Sequence, residues 1–223
     1  MRAVVTRERG HNAELISWLP DGASVSEVPL TATRYFDTHE VLETLRASEN
    51  FGHFRALVVT SARSALYVAL AREALTRGGT VLSVGTATAR ALESEDVDVD
   101  VVGDTGVVDL DAEIADGPVL LLGAAAMREE LATKLEGRGV TVEKLTCYET
   151  IPAVLTPDEE IELREADVLF VGAPSAWLVA MVYVDPRTWV VVPGSTTAGV
   201  VGRHHERVIQ GWGPGLKEHL SAL

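Results

Sequence analysis

Four short loops in this chain gather residue types able to hold an anionic ligand. They read Thr60-Ser61-Ala62-Arg63-Ser64, Gly85-Thr86-Ala87-Thr88, Gly172-Ala173-Pro174-Ser175-Ala176 and Gly194-Ser195-Thr196-Thr197. Each follows a short apolar run and precedes a segment of helical spacing. Free N–H groups at the start of a helix attract anions. Ser and Thr add hydroxyl donors, and Gly and Ala let a bulky anion approach the backbone. A single Ser or Thr at a helix start is an ordinary N-cap, so it is the four loops together that define a candidate binding surface. Its residues are Ser61, Ser64, Gly85, Thr86, Thr88, Pro174, Ser175, Ala176, Gly194, Ser195, Thr196 and Thr197.

Other chemistries lack their residues. There is no GxxxxGK[ST] or GxGxxG phosphate-binding loop, no HExxH and no GxSxG nucleophile elbow. Cys147 is the only cysteine, which leaves no zinc cluster and no intrachain disulfide. His204 and His205 are adjacent, and adjacent side chains on a helix do not face the same way.

Parallel strands are the elements that would position such loops. Val4-Val5, Leu57-Val58-Val59, Val81-Leu82, Val101-Val102, Val119-Leu120-Leu121, Val168 to Val171 and Val190-Val191-Val192 are unbroken apolar runs. Runs of this kind belong to parallel sheets covered on both faces. Helical stripes lie between them, Ala65, Leu66, Ala69 and Leu70 in one and Leu131 and Leu135 in another. The alternation predicts an α/β fold with doubly wound parallel sheets, whose carboxyl strand ends are where ligands bind.

The pattern occurs twice. Residues 3–19 are echoed by 118–135, 56–70 by 167–181, 81–92 by 190–201, and 99–106 by 207–214. The offsets are nearly constant: 116 from Val5 to Leu121, 112 from Ser61 to Ala173, 109 from Gly85 to Gly194 and 108 from Gly103 to Gly211. Such a period is too long for a solenoid. It implies two similar domains with a cleft between them.

Helix-start signals place the crossings. Thr156-Pro157-Asp158-Glu159 reads as a capping box with Pro at the first helical position, and Asp37 to Glu40 has similar spacing. Both follow segments outside the repeat, 30–36 and 148–153. One domain is therefore expected to combine 1–31 with 155–223 and the other to hold 38–146, with linkers at 32–37 and 147–154.

Bulk composition agrees with two small cores. The chain has 223 residues, 47% of them hydrophobic, and a formal net charge of −14 with only 19 Lys and Arg. That balance opposes non-specific nucleic-acid binding, which depends on clustered cations. No apolar run reaches the ~20 residues that cross a bilayer. The first ten residues lack a signal-peptide pattern, so a cytoplasmic location is expected. The acidic stretch 93–100 reads as a solvated turn before an edge strand.

Ordered motifs along nearly the whole chain resemble the uroporphyrinogen-III synthase family. They are Val5-Thr6-Arg7, Thr60-Ser61-Ala62, Val84-Gly85-Thr86-Ala87-Thr88-Ala89, Tyr148-Glu149-Thr150, Ala173-Pro174-Ser175-Ala176 and Gly194-Ser195-Thr196-Thr197-Ala198. Four positions, in three places, depart from the family's pattern. Leu122 stands where an arginine is frequent, Gly172-Ala173 replaces Thr-Ser, and Pro193 precedes the Gly194 loop.

The resemblance implies two flavodoxin-like domains joined by a two-stranded linker. It implies cyclisation of hydroxymethylbilane, a linear tetrapyrrole, to uroporphyrinogen III, with inversion of the last pyrrole ring and loss of water. It implies a step of haem biosynthesis that uses no cofactor, carried out by a monomer in transient contact with the preceding enzyme of the pathway. On this basis Tyr148 is the candidate general acid and Arg7 a candidate carboxylate ligand. A catalytically silent tetrapyrrole-binding or regulatory module of the same fold is the alternative.

Overall fold

A computed structural model describes residues 1–103, 110, 113, 114, 116–127 and 129–222. Of the echoed segment 99–106, residues 104–106 lie outside the described residues. The chain divides into two compact units, one made of 1–32 with 151–223 and the other of 33–150.

Numbered along the chain, the first unit holds β1 (Arg2–Val5), α1 (Ala13–Ser17) and β2 (Ser24–Glu27). After the chain returns it adds α6 (Pro157–Arg164), β9 (Val168–Phe170), α7 (Pro174–Ala180), β10 (Trp189–Val192), α8 (Ser195–Val201), β11 (Val208–Gln210) and α9 (Leu216–Ser221). Its strands lie in the order β11-β10-β9-β1-β2, with every neighbouring pair parallel. Counted in chain order within the unit, that is 2-1-3-4-5, the flavodoxin-like order.

The second unit holds β3 (Thr31–Tyr35), α2 (Thr38–Arg46), β4 (Phe54–Val59) and α3 (Val68–Ala71). It continues through β5 (Leu75–Val84), α4 (Thr86–Glu93), β6 (Val101–Gly103), β7 (Val119–Ala124), α5 (Glu130–Gly137) and β8 (Val142–Pro152). The sheet order is β3-β8-β7-β4-β5-β6. The echoed segments supply β1 and β7, β9 and β4, β10 and β5, and β11 and β6. These strands follow one another in the same spatial order in both sheets, so the sequence repeat is a repeat of topology. β6 is an edge strand, as the acidic approach to it suggested.

Alternate residues of each strand face opposite sides, and each sheet has a core on both faces. In the first unit Val4, Leu169, Val171, Val190 and Val192 share one core, and Ala3, Val5, Val168, Phe170 and Val191 the other. In the second, Leu57, Val59, Val81, Leu120 and Leu122 face one side, and Ala56, Val58, Leu82, Val119 and Leu121 the other. This two-sided burial is why the strands read as unbroken apolar runs.

The expected linkers are not free-standing. β8 runs without a break from the interior of its sheet to Pro152, and β3 lies antiparallel beside it. Phe36 N–H donates to Cys147 O and Ala153 N–H to Leu30 O. Thr156 caps α6 in a full capping box with Glu159, and Asp37 caps α2 by accepting from the N–H of His39 and Glu40. The stripe read at Ala65, Leu66, Ala69 and Leu70 is displaced. Residues Ala62–Tyr67 form 3-10 turns, and Ala65, Tyr67, Val68 and Ala71 are buried while Leu66 is 43% exposed. A three-residue turn rotates the buried face relative to an α-helix. No helix among the described residues is long and apolar enough to cross a membrane.

Candidate functional site

The strand order reverses beside β1 in the first unit and beside β7 in the second, and ligands of open α/β sheets bind at the carboxyl side of such reversals. Both reversals are tied by a threonine. Thr6 Oγ1 donates to Phe170 O at 2.6 Å, joining the end of β1 to β9. Thr60 Oγ1 donates to Leu122 O at 2.8 Å, joining the end of β4 to β7. The residues that follow, Arg7 and Ser61, therefore leave their sheets from pinned positions.

Gly123 allows the second of these ties. A Cβ there would stand 2.2 Å from Thr60 Oγ1 and 2.7 Å from Met127 Sδ, so only glycine lets the chains approach.

On the rim of the second unit, Tyr148 Oη donates to Ser61 Oγ at 2.8 Å, across 87 residues of chain. Ser61 Oγ also accepts from Arg63 N–H, capping the 3-10 turns. Both lone-pair directions of Ser61 are thus occupied, and its own hydroxyl proton has no acceptor among the described residues. Tyr148 is 5% exposed and its ring lies 6.1 Å from that of Tyr35, centroid to centroid. Ser61 is half-buried at the surface. The buried phenol therefore reaches the exterior through the serine.

The remaining candidates separate by depth. Thr86, Ser175, Ser195 and Thr196 are exposed, and Gly85, Pro174 and Gly194 are half-buried. Gly85 has φ +84, which turns the chain from β5 into α4 at little cost only for glycine. Thr88, Ala176 and Thr197 are buried at 5%, 5% and 4% exposure. Ser64 is fully buried, and among the described residues its hydroxyl meets no nitrogen or oxygen partner, only the Cys147 thiol. These four lie beneath the loops, where their side chains pack rather than meet solvent.

Arg7 sits on the rim of the first unit. Its Cζ lies 4.7 Å from the centroid of the Trp212 ring, and its Nη1 is 3.6 Å from Glu14 Oε2. Its backbone is held by the fully buried Asn12, which accepts from Arg7 N–H and donates to the carbonyls of Arg7 and Glu8. Trp212 follows β11 and contacts Trp18 and Phe170. Neither Asn12 nor Trp212 was singled out by sequence. The flanking glycines of Gly211-Trp212-Gly213 were the available sign, since both have positive φ.

Of the departures from the family pattern, Leu122 has a local reason. Leu122 is fully buried among Leu57, Val59 and Leu145, a setting for an apolar side chain. At Gly172 a Cβ would meet Trp212 Cη2 at 3.5 Å, an ordinary contact, so the glycine is not forced by space.

A cavity of about 620 Å³ opens at the amino ends of the first unit's strands, away from these loops. Its arginines are engaged: Arg164 by Glu160, Arg187 by Asp185, and Arg207 by the Arg187 carbonyl and the Trp189 ring. The rims at the carboxyl ends are the better candidate. Burial pushes the Cys147 thiol up to about 12, which leaves it unreactive as a nucleophile. Among the described residues no group of three or more His, Cys, Asp or Glu could hold a metal ion.

Two doubly wound parallel-sheet units, each with hydroxyl-bearing loops at its carboxyl rim, define a two-domain α/β protein; one rim carries the Tyr148–Ser61 hydroxyl pair and the other carries Arg7. The family model described as uroporphyrinogen-III synthase HemD matches residues 20–211, and the chain belongs to that family. The fold is similar to that of uroporphyrinogen-III synthetase from Helicobacter pylori, at 18% identity and a TM-score of 0.64, covering 100% of this chain and 99% of that one. It is also similar to a mutant uroporphyrinogen III synthase from Thermus thermophilus, at 17% identity and a TM-score of 0.59, covering 100% and 96%. No curated protein matches the chain.

Proposed function

We propose that the protein cyclises hydroxymethylbilane to uroporphyrinogen III, inverting the last pyrrole ring and releasing water. The leaving hydroxyl takes a proton and departs as water while the pyrrole N–H gives one up, which leaves an azafulvene; the nitrogen regains its proton as the ring closes. Left alone, the azafulvene closes without inversion. Catalysis therefore lies in holding the chain so that attack falls on the already substituted carbon of the last ring, a task of positioning.

In this reading Ser61 delivers the proton to the leaving hydroxyl and is resupplied by Tyr148, a general-acid relay of two hydroxyls. Closure of the ring releases a proton from carbon, so none is consumed overall. Arg7 binds a carboxylate arm through its planar fork of donors. Thr86, Ser175, Ser195 and Thr196, with backbone N–H groups beside Gly85 and Gly194, bind further acetate and propionate arms. Ser64, Thr88, Ala176 and Thr197 support these loops from below.

The observation that carries the reading is the Tyr148–Ser61 hydrogen bond, which unites two residues from separate family motifs at one strand end. The test is to supply hydroxymethylbilane and resolve the product isomers. Type III product above the uncatalysed background is expected. Type I alone, at the uncatalysed rate, would refute cyclisation and leave a binding module.

A further inference from the structure

We infer that Trp212 is a positioning residue that presents the Arg7 guanidinium to a substrate carboxylate. The role assigned to Trp212 rests on the cyclisation reading of the same site. Arg7 and Trp212 are 205 positions apart in the chain, and the Arg7 Cζ sits 4.7 Å from the indole centroid. A guanidinium lying on an aromatic face keeps its N–H edge free, and that edge matches a carboxylate with two parallel hydrogen bonds.

The rest of the surroundings leave this task to the ring. Glu14 approaches Arg7 only to 3.6 Å, and its side chain is 63% exposed, so it is a weak and displaceable partner. The Arg7 side chain is itself 37% exposed and is not shaped by burial. Asn12 fixes the Arg7 backbone, not its guanidinium.

Trp212 is placed for its face rather than its N–H. Its Nε1 is buried and has no hydrogen-bond partner among the described residues. A phenyl or aliphatic side chain would avoid that unpaired donor, yet the strongest of the aromatic faces for a cation stands here. The ring is held against Phe170 and Trp18 at centroid distances of 6.5 Å each. Gly172 leaves a Cβ-sized space against Trp212 Cη2.

The experiment is a double-mutant cycle of Trp212→Leu and Arg7→Met, with Trp212→Phe as the conservative variant and thermal melts to confirm folding. The expected result is that Trp212→Leu raises KM about three- to thirtyfold, the range set by a cation–aromatic contact, while kcat stays within about twofold, the pattern of lost uniform binding. Arg7→Met does the same, the double variant is no worse than the weaker single, and Trp212→Phe recovers part of the loss.

Wild-type KM in Trp212→Leu, or additive effects, overturns the role of Trp212 and leaves the cyclase reading standing. Should the wild type make no type III isomer, the cyclase reading fails, and the role of Trp212 is decided by two other measurements. One is the ring-current shift of the Arg7 Nε–H resonance. The other is affinity for uroporphyrin III, the stable oxidised form of the proposed product. A shift abolished by Trp212→Leu, with non-additive loss of affinity, supports the role; an unshifted resonance or unchanged affinity overturns it.

Discussion

Replacing Tyr148 by Phe removes one hydroxyl and little else. The ring is 5% exposed and packs 6.1 Å from Tyr35, and phenylalanine keeps both the burial and that contact. The lost interaction is the 2.8 Å hydrogen bond to Ser61. A bond of this kind contributes about 1 kcal/mol to stability, which lowers the melting midpoint by about 2–4 °C for a chain of this length. The variant folds, so its kinetics are interpretable. General-acid groups contribute about 10²- to 10⁴-fold. The low end applies here, because a serine deprived of its phenol can still be reprotonated by water. Tyr148→Phe is therefore expected to slow type III formation about ten- to a hundredfold, a barrier rise of about 1.4–2.7 kcal/mol. Ser61→Ala should lose as much, and the double variant no more than the worse single, since the two hydroxyls act as one relay. The assay feeds freshly generated hydroxymethylbilane, oxidises the product at timed intervals and separates the type I and type III porphyrins. A Tyr148→Phe rate within twofold of wild type, or losses that multiply in the double variant, would refute the relay.

Ser64→Ala should leave KM and kcat within about twofold and change the melting temperature little, because its buried hydroxyl has only the weakly accepting Cys147 thiol as a partner among the described residues; a large rise in KM would return Ser64 to the binding surface. Gly123→Ala should destabilise by about 1–3 kcal/mol through overpacking against Thr60 and Met127, read from urea midpoints. Cys147, raised by burial from 9.0 to about 12, should resist alkylation in the native protein and react in denaturant. Between those values the unfolded chain has released the thiol proton and the folded chain has not, so stability falls as pH rises, by about 1.4 kcal/mol per unit from this group. Cys147→Ala should show a shallower decline above pH 9 in denaturant titrations, and an unchanged slope would contradict the burial effect.

Much of the architecture was legible because both sheets are buried on two faces. Val119 to Leu122 and Val190 to Val192 must be apolar throughout, and such runs declare a parallel strand without reference to a partner. β2 escaped notice for the opposite reason. Its sequence is Ser24-Val25-Ser26-Glu27, and it lies at the edge of its sheet where polar residues are tolerated. The segment after β4 misled because Ala62–Tyr67 winds in three-residue turns, which no spacing rule based on 3.6 residues anticipates. The loops were found by their residue types, but depth was hidden. Thr86 and Thr88 look alike in sequence, and one is exposed while the other is 5% exposed.

By itself, the sequence determined the α/β class, the duplicated strand order and the family, because these depend on local patterns of apolar and small residues that recur along the chain. Tertiary structure alone decided which hydroxyls reach the surface, that Tyr148 hydrogen-bonds Ser61, and that Trp212 lies under Arg7. Those pairings join residues 87 and 205 positions apart. Nothing in local periodicity encodes them. They arise because strands distant in sequence share one sheet, whose packing brings side chains from its different strands within bonding distance.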